Sequence, residues 1–366
     1  MRITAAVFRN DSVRPSIEGL ELTGPCAGEV LVRIVATGVC HTDLKSAGPG
    51  TRIPRPVVLG HEGAGIVEAV GPGRSELKPG DHVVMTFGSC GRCPSCRDGE
   101  PAYCYDNLRG GNFACKRPEG QHYLSSNGAP VHGDFFHQSS FASYAIGSER
   151  NVIKVREDAP LEMLGPLGCG VQTGAGAIFN DFKLRPGQSL AVFGAGALGL
   201  SAVMAARIAG AGCVVAIDRH ARRLELAHEL GADKTILAGA GSVAKEVIRH
   251  LPGGVDFSLD TTGVLALMRQ AVDVLAPRGT CGFVTGPWDG TELSISVLNL
   301  LVGRKLRGII EGNSNPRTFI PMLVDFYMSG RFPFDKLVRF YPFEGIAQAF
   351  HDMEQGVTVK PILRNA

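Results

Sequence analysis

Four cysteines follow one another as Cys90-x2-Cys93-x2-Cys96-x7-Cys104. Short loops of this kind bring four thiolates round one tetrahedral ion, and zinc accepts four sulfur ligands at about 2.3 Å. A ferredoxin-type run would place its fourth cysteine about three residues on and follow it with proline; here the last gap is seven and Tyr105 follows. Disulfides are the other reading of clustered cysteines, but MRITAAVFRN has no signal-peptide pattern, and Gly91, Arg92, Pro94 and Ser95 suit a loop round an ion. A closed four-sulfur site has no open coordination position and does no chemistry itself. Three other segments hold residues that would: Cys40 in GVCHTD (38–43), His61 in GHEGAG (60–65) and Cys169 in LGCG (167–170). Together they would make a site of two thiolates and one imidazole with a fourth position open to water or substrate, the pattern of a catalytic zinc. The other cysteines, Cys26, Cys115, Cys213 and Cys281, read as small buried or surface residues.

A second chemical signal is Gly194-Ala-Gly196-Ala-Leu-Gly199, which lies between a strand-like run and a helix-like run, with acidic Asp218 about twenty positions on. Gly194 would permit the tight turn, Gly196 the approach of a pyrophosphate, and Gly199 close packing of helix on sheet. The helix N-terminus would face the phosphates with its unpaired N–H groups. Asp218 would accept from the adenosine ribose hydroxyls and repel a 2′-phosphate, which favours NAD over NADP, while Arg219 beside it works the other way.

These residues need two kinds of scaffold. Up to about residue 150 the chain shows short β-type runs with glycine and proline punctuation, such as 29–36, 65–70 and 82–85, expected to form a mostly antiparallel, barrel-like domain. After Pro186-Gly187 the rhythm becomes β-α-β: strand 188–193, helix 197–210, strand 213–217, then strands 255–259 and 280–284, a parallel doubly wound sheet. A length of 366 residues allows about two such cores. With 20% charged residues, a net charge of +2 and no dense basic run, nucleic acid is not an expected partner. The most apolar stretch, 190–217, is broken by five glycines and Arg207, which is wrong for a membrane span, so a soluble, cytoplasmic protein is expected.

The motifs together resemble the zinc-containing medium-chain alcohol dehydrogenases, over nearly the whole chain. FFHQSSFASY (135–144), GPLGCGVQTGAG (165–176) and LDTTG (259–263) resemble the aryl and allylic branch, the benzyl-alcohol and geraniol dehydrogenases. The resemblance implies an α/β architecture: a GroES-like β-barrel catalytic domain over 1–170 and 311–366, and a Rossmann doubly wound cofactor domain over 171–310. It implies one catalytic and one structural zinc per chain, with Cys40, His61 and Cys169 as ligands and Glu62 behind the metal. Asp43 would hold the second nitrogen of His61. Thr42 would bond the alcohol hydroxyl and begin the proton path, His41 and Lys360 would lie near the pyrophosphate, and Arg223 would flank the adenosine ribose. The implied reaction is reversible hydride transfer between a primary aromatic or allylic alcohol and NAD, giving the aldehyde, in a homodimer or homotetramer. Phe87, Phe113, Phe136 and Trp288 are candidate walls of an apolar pocket, although large aromatics are commonly ordinary core; His82, His122, His132 and His137 have no ligand motif.

The chain departs from the family pattern in three places. Lys45 stands where many members have the histidine that ends the proton path, so exit would run through Lys45 or water. Arg74 replaces a small or apolar residue at the end of the Gly-His-Glu signature. Cys169 stands where polyol-type relatives commonly have a carboxylate, which makes polyols poorer candidates. Aliphatic alcohols are the alternative substrates. A non-enzymatic zinc- and nucleotide-binding protein is a third reading, but one with no use for an open metal position.

Overall fold

A computed structural model describes the chain except residues 116, 118–120, 240, 288, 289 and 366. It divides into two compact units: Met1–Gly170 with Asn315–Ser329 and Phe334–Ala366, and Val171–Ser314 with Gly330–Pro333.

The first unit is built on the strand Glu29–Gly38. Its alternation sends Val30, Val32 and Ile34 into one core with Val67, Val83, Met85, Ala145 and Val152, while Leu31 belongs to a second, larger core. Burial on both faces is what a strand at the centre of a barrel-like sheet requires. Gly63–Val70, Tyr144–Ser148 and Lys360–Arg364 all pair with it antiparallel. The sheet runs Val152–Lys154, His82–Met85, Gly63–Val70, Glu29–Gly38, Lys360–Arg364, Val338–Pro342, and its last pair is parallel. A five-stranded antiparallel sheet that includes Arg2–Phe8 and Ser16–Leu22 completes the unit. Register does the positioning: Thr37 lies opposite Gly63, Gly38 opposite Ile362, and Ala64 opposite Val84. The strand ends leading to Cys40, His61, Lys360 and Thr86 are therefore gathered at one end of the sheet.

The second unit is the expected doubly wound sheet. Six parallel strands stand in the order Lys234–Leu237, Cys213–Asp218, Ser189–Phe193, Val255–Asp260, Leu275–Phe283, Lys305–Gly308. Strand order reverses between Ser189–Phe193 and Val255–Asp260, and the crevice at such a switch point, outside the carboxyl ends of the strands, is where this architecture binds ligands. Gly194 stands at that place, with helix Ala197–Ile208 leading away from it. Among the described residues, no helix is long and apolar enough to cross a membrane.

The turn at the switch point is tight enough to discriminate between its glycines. A Cβ on Gly199 would lie 1.8 Å from the Gly194 carbonyl oxygen, whereas one on Gly196 would meet nothing within 4 Å. Gly199→Ala should therefore lower the melting temperature of the second unit by roughly 2–10 °C, the range expected for backbone overpacking. Gly196→Ala should leave it unchanged, as followed by calorimetry.

Candidate active site

Cys40 caps helix His41–Ala47 in extended backbone, with φ −125° and ψ 155°. From the first turn of that helix Asp43 reaches back. Its carboxylate accepts from the Cys40 amide at 3.0 Å and the Gly60 amide at 3.1 Å, and lies 2.9 Å from His61 Nδ1. Asp43 and His61 are both fully buried. Donation of Nδ1–H to Asp43 leaves Nε2 as the ligating nitrogen, and Nε2 is buried with no hydrogen-bond partner among the described residues. Donor atoms of Cys40, His61, Glu62 and Cys169 all lie within 4.8 Å of one another. Zinc–sulfur and zinc–nitrogen bonds of about 2.3 and 2.0 Å imply tetrahedral edges of roughly 3.3–3.8 Å, so these donors suit a single ion.

The electrostatics favour the same occupant. A hydrogen bond from Cys169 holds the Cys40 thiol well below its ordinary range despite burial. Burial opposes a charge on His61, but Asp43 and Cys40 outweigh it and hold the imidazole well above the usual histidine range. Without metal the site thus draws a proton to the place a divalent cation would take, and metal binding would release it.

Glu62 is fully buried, and burial raises its carboxyl above the ordinary range. Lys360 Nζ lies 2.8 Å from each Glu62 oxygen and 3.2 Å from the Val39 carbonyl. The ammonium of Lys360, the residue expected near the pyrophosphate, has these three contacts in the structure, and a cation this deeply buried requires a counter-charge. Burial works to lower its pKa, but Glu62 and Cys40 outweigh it and hold Lys360 above the usual lysine range. Gly38 makes the arrangement possible, since a Cβ there would stand 2.0 Å from Glu62 Oε2. The Gly170 amide also donates to Glu62 Oε1, at 3.3 Å.

Aromatic rings wall the imidazole. Phe136 stacks on His61 with centroids 4.6 Å apart at 28°, and Phe135 meets it edge-on at 5.6 Å. Phe113 meets Phe135 and Phe136 edge-on at 5.8 and 5.3 Å. Phe87 is buried in the same core, two residues beyond strand His82–Met85. Trp288 lies outside the described residues. Phe135 was not singled out from the sequence; its place beside Phe136 in FFHQSSFASY was the available signal. On helix His41–Ala47, Thr42 is half-buried, and His41 and Lys45 are exposed.

The second metal-type cluster consists of Cys90, Cys93, Cys96 and Cys104, whose sulfurs all lie within 4.8 Å of one another. Cys93 and Cys104 cap the short helices Pro94–Arg97 and Tyr105–Leu108, which turn the chain sharply enough for four sulfurs to converge. Backbone amides supply thiolate-stabilising donors: Cys90 N–H to Cys104 Sγ at 3.2 Å and Cys93 N–H to Cys90 Sγ at 3.4 Å. The Tyr105 amide brings Cys93 down to about 6. Burial and the neighbouring sulfurs push Cys96 up to about 12. Four sulfurs this close cannot all ionise without a cation between them, and the donor set suits zinc.

In the second unit Gly194 has φ +99° and donates to Ile217 O at 2.8 Å. Thr261 Oγ1 donates to the carbonyls of Phe193 and Gly194 at 3.0 and 3.1 Å, pinning the turn to the neighbouring strand end. Asp218 is buried, accepting from the Ala195 amide at 2.7 Å and the His220 amide at 2.8 Å. Arg223 Nη1 stands 4.0 Å from it, while Arg219 donates to His220. The open space above Gly196, at the head of a twelve-residue helix, fits a pyrophosphate brought close to backbone.

Comparison with known proteins gives this geometry a family. The alcohol dehydrogenase GroES-like domain matches residues 26–157 and the zinc-binding dehydrogenase domain residues 197–327. A geraniol dehydrogenase of Castellaniella defragrans is 45% identical over 361 residues, 98% of this chain and 96% of the relative. The crystal structure of an alcohol dehydrogenase zinc-binding domain protein from Burkholderia ambifaria is 52% identical with a TM-score of 0.97, covering 100% of this chain and 99% of its own. That of benzyl alcohol dehydrogenase from Acinetobacter calcoaceticus is 45% identical with a TM-score of 0.97, over 100% of both chains. The chain therefore belongs to the zinc-containing medium-chain alcohol dehydrogenases, close to geraniol and benzyl alcohol dehydrogenases.

Proposed function

We propose that this enzyme interconverts primary aryl or allylic alcohols and their aldehydes, using NAD and one catalytic zinc per chain, with a second zinc in the four-cysteine loop. The observation that carries the substrate class is the aromatic wall at His61: Phe136 stacked on the ring and Phe135 edge-on to it, with Phe113 edge-on to both phenylalanines. Flat, apolar walls beside the metal donors suit a planar ring or an unsaturated chain and leave a polyol's hydroxyls unpaired. The likeness to geraniol and benzyl alcohol dehydrogenases supports the same class.

When bound, zinc supplies a Lewis acid for the alcohol oxygen and NAD the two-electron acceptor. The chain's own residues supply orientation and proton management. Asp43 keeps the Nδ1 proton on His61 so that Nε2 faces the two thiolates. Lys360 balances Glu62, so the carboxylate stays in place without adding an uncompensated charge. We assign Thr42 as hydrogen-bond partner of the substrate hydroxyl, and the released proton leaves past Lys45, its neighbour at i,i+3, or through water beside it. Asp218, held inward by two amides, offers its remaining lone pairs to the ribose hydroxyls and disfavours a 2′-phosphate. His41 and Arg223 are assigned to the pyrophosphate and the adenosine ribose. The products are aldehyde, reduced nicotinamide and one proton. Thiolate ligands persist in the reducing cytoplasm, where we place the enzyme.

We also propose that the chain self-associates through its second unit, as a homodimer or a tetramer built from such dimers. Helix Val297–Leu301 exposes Val297, Leu298 and Leu301 at 68, 73 and 73%, and the following strand, Lys305–Gly308, is an edge of the parallel sheet. An edge strand beside an apolar patch is what a second copy would cover. Light scattering should give at least a dimer mass, and the double variant Leu298→Glu/Leu301→Glu should shift it to a monomer; a wild-type monomer would defeat this assignment.

Two further measurements test the reaction. Formation of reduced nicotinamide should be strong with NAD against benzyl alcohol, cinnamyl alcohol and geraniol, and weak against ethanol and sorbitol; preference for either of the last two would overturn the pocket assignment. Cys40→Ser and Cys169→Ser should each abolish turnover and lower zinc from two per chain to one, the remaining ion belonging to the four-cysteine loop. Retained activity in either variant would overturn the ligand assignment.

A further inference from the structure

Asp43 joins two of the three expected ligands, since it holds both the Cys40 amide and the His61 ring. A separate device joins His61 to the third. Gln138 is fully buried, and its side-chain oxygen accepts from the Gly63 amide at 3.2 Å. Its nitrogen donates to the His61 carbonyl at 2.9 Å and the Thr86 carbonyl at 3.1 Å. One N–H and two carbonyls surround the amide, so only one orientation satisfies all three. Thr86, also fully buried, sends its hydroxyl to the Gly168 carbonyl at 2.6 Å, one residue before Cys169. Gly168 is pressed on the same strand end, where a Cβ would stand 2.1 Å from the Met85 carbonyl oxygen. A side-chain path thus runs from the backbone of His61 through Gln138 and Thr86 to the backbone preceding Cys169.

Gln138 also anchors the aromatic wall. It lies in a segment in which Asp134, Phe136, His137 and Ser139 all have positive φ, between 51° and 65°. Backbone of this kind persists when its surroundings over-determine it. Asn151 braces it, donating to the carbonyls of Thr86 and His137 at 3.0 Å each. Ser139 accepts from the Phe135 amide at 2.9 Å and donates to the Val58 carbonyl at 2.7 Å. Phe136, whose ring stacks on His61, thus lies in the braced segment two residues before the side chain that holds the His61 backbone.

We propose that Gln138 and Thr86 are positioning residues that set the spacing of His61 and Cys169, and that through Gln138 the same staple seats Phe136. The inference rests on the reading that Cys40, His61 and Cys169 hold zinc. Loss of a partner that orients ligands typically costs 10–100-fold in metal affinity. The test compares wild type with Thr86→Val, Thr86→Ser and Gln138→Met, measuring zinc release to a chromogenic chelator and the visible spectrum after cobalt(II) replacement. The four-cysteine site in the same chain is the internal control. Thr86→Val and Gln138→Met should lose the ion at Cys40/His61/Cys169 about 10–100-fold faster than wild type and shift its cobalt bands, with the four-cysteine ion released at the wild-type rate. Thr86→Ser, which restores the hydroxyl, should behave as wild type.

Wild-type release and spectra in both Thr86→Val and Gln138→Met would overturn the proposal. So would equal acceleration at both sites, which would mark general loosening, or failure of Thr86→Ser to restore slow release. If Gln138→Met does not fold, the two Thr86 variants decide. A wild-type chain that holds only one metal would instead bring down the zinc reading, and this inference with it.

Discussion

The hydrogen bond between Asp43 and His61 is the constraint on which the first unit is organised. It takes up one imidazole nitrogen and leaves the other buried, with no hydrogen-bond partner among the described residues. A buried polar atom in that condition is costly unless something binds it, and what surrounds it is two thiols and a carboxylate. The antiparallel sheet makes the arrangement possible because its register brings the ends of four strands together. No one segment contains the site.

Charge decides what the site can hold. Asp43, Glu62 and a readily ionised Cys40 lie in one dry region, with Lys360 as the buried ammonium paired with Glu62. Left alone, such a group draws protons, as the raised His61 shows; a divalent cation answers the same imbalance and gains direct bonds to sulfur and nitrogen. The four-cysteine loop meets the related problem of crowded sulfurs with backbone amides and short helix caps. Filled on all four sides, it stabilises its loop, whereas a site of two thiolates and one imidazole keeps room for a reacting oxygen. In the proposed reaction the second unit leaves the chemistry to a bound nucleotide, and what it offers is a tight turn, open space above one glycine and an acidic residue held at a strand end.

Much of this was legible before any coordinates. Cys90, Cys93, Cys96 and Cys104 declare a metal loop because their spacing is short and local. The glycines at 194, 196 and 199 declare a strand–turn–helix because their roles are local backbone roles, and the parallel sheet follows from alternating strand and helix runs. Cys40, His61 and Cys169 were nameable as a set, through residue type and family resemblance, although nothing in their separation says that they meet.

What stayed hidden were partnerships. Nothing in the sequence joins Lys360 to Glu62, and only the strand pairing of Lys360–Arg364 with Glu29–Gly38 puts its ammonium on that carboxylate. Phe135, Gln138 and Thr86 carried no signal of their own, because an aromatic ring, an amide or a hydroxyl acquires a role only from what faces it. The sequence by itself determined the chemical inventory, the two kinds of scaffold and the closed metal loop, since those depend on residue type and near-neighbour spacing. Tertiary structure alone decided which buried charges balance, which nitrogen of His61 is left for a metal and what holds the ligands at their distances, because each of these depends on contacts between segments tens to hundreds of residues apart.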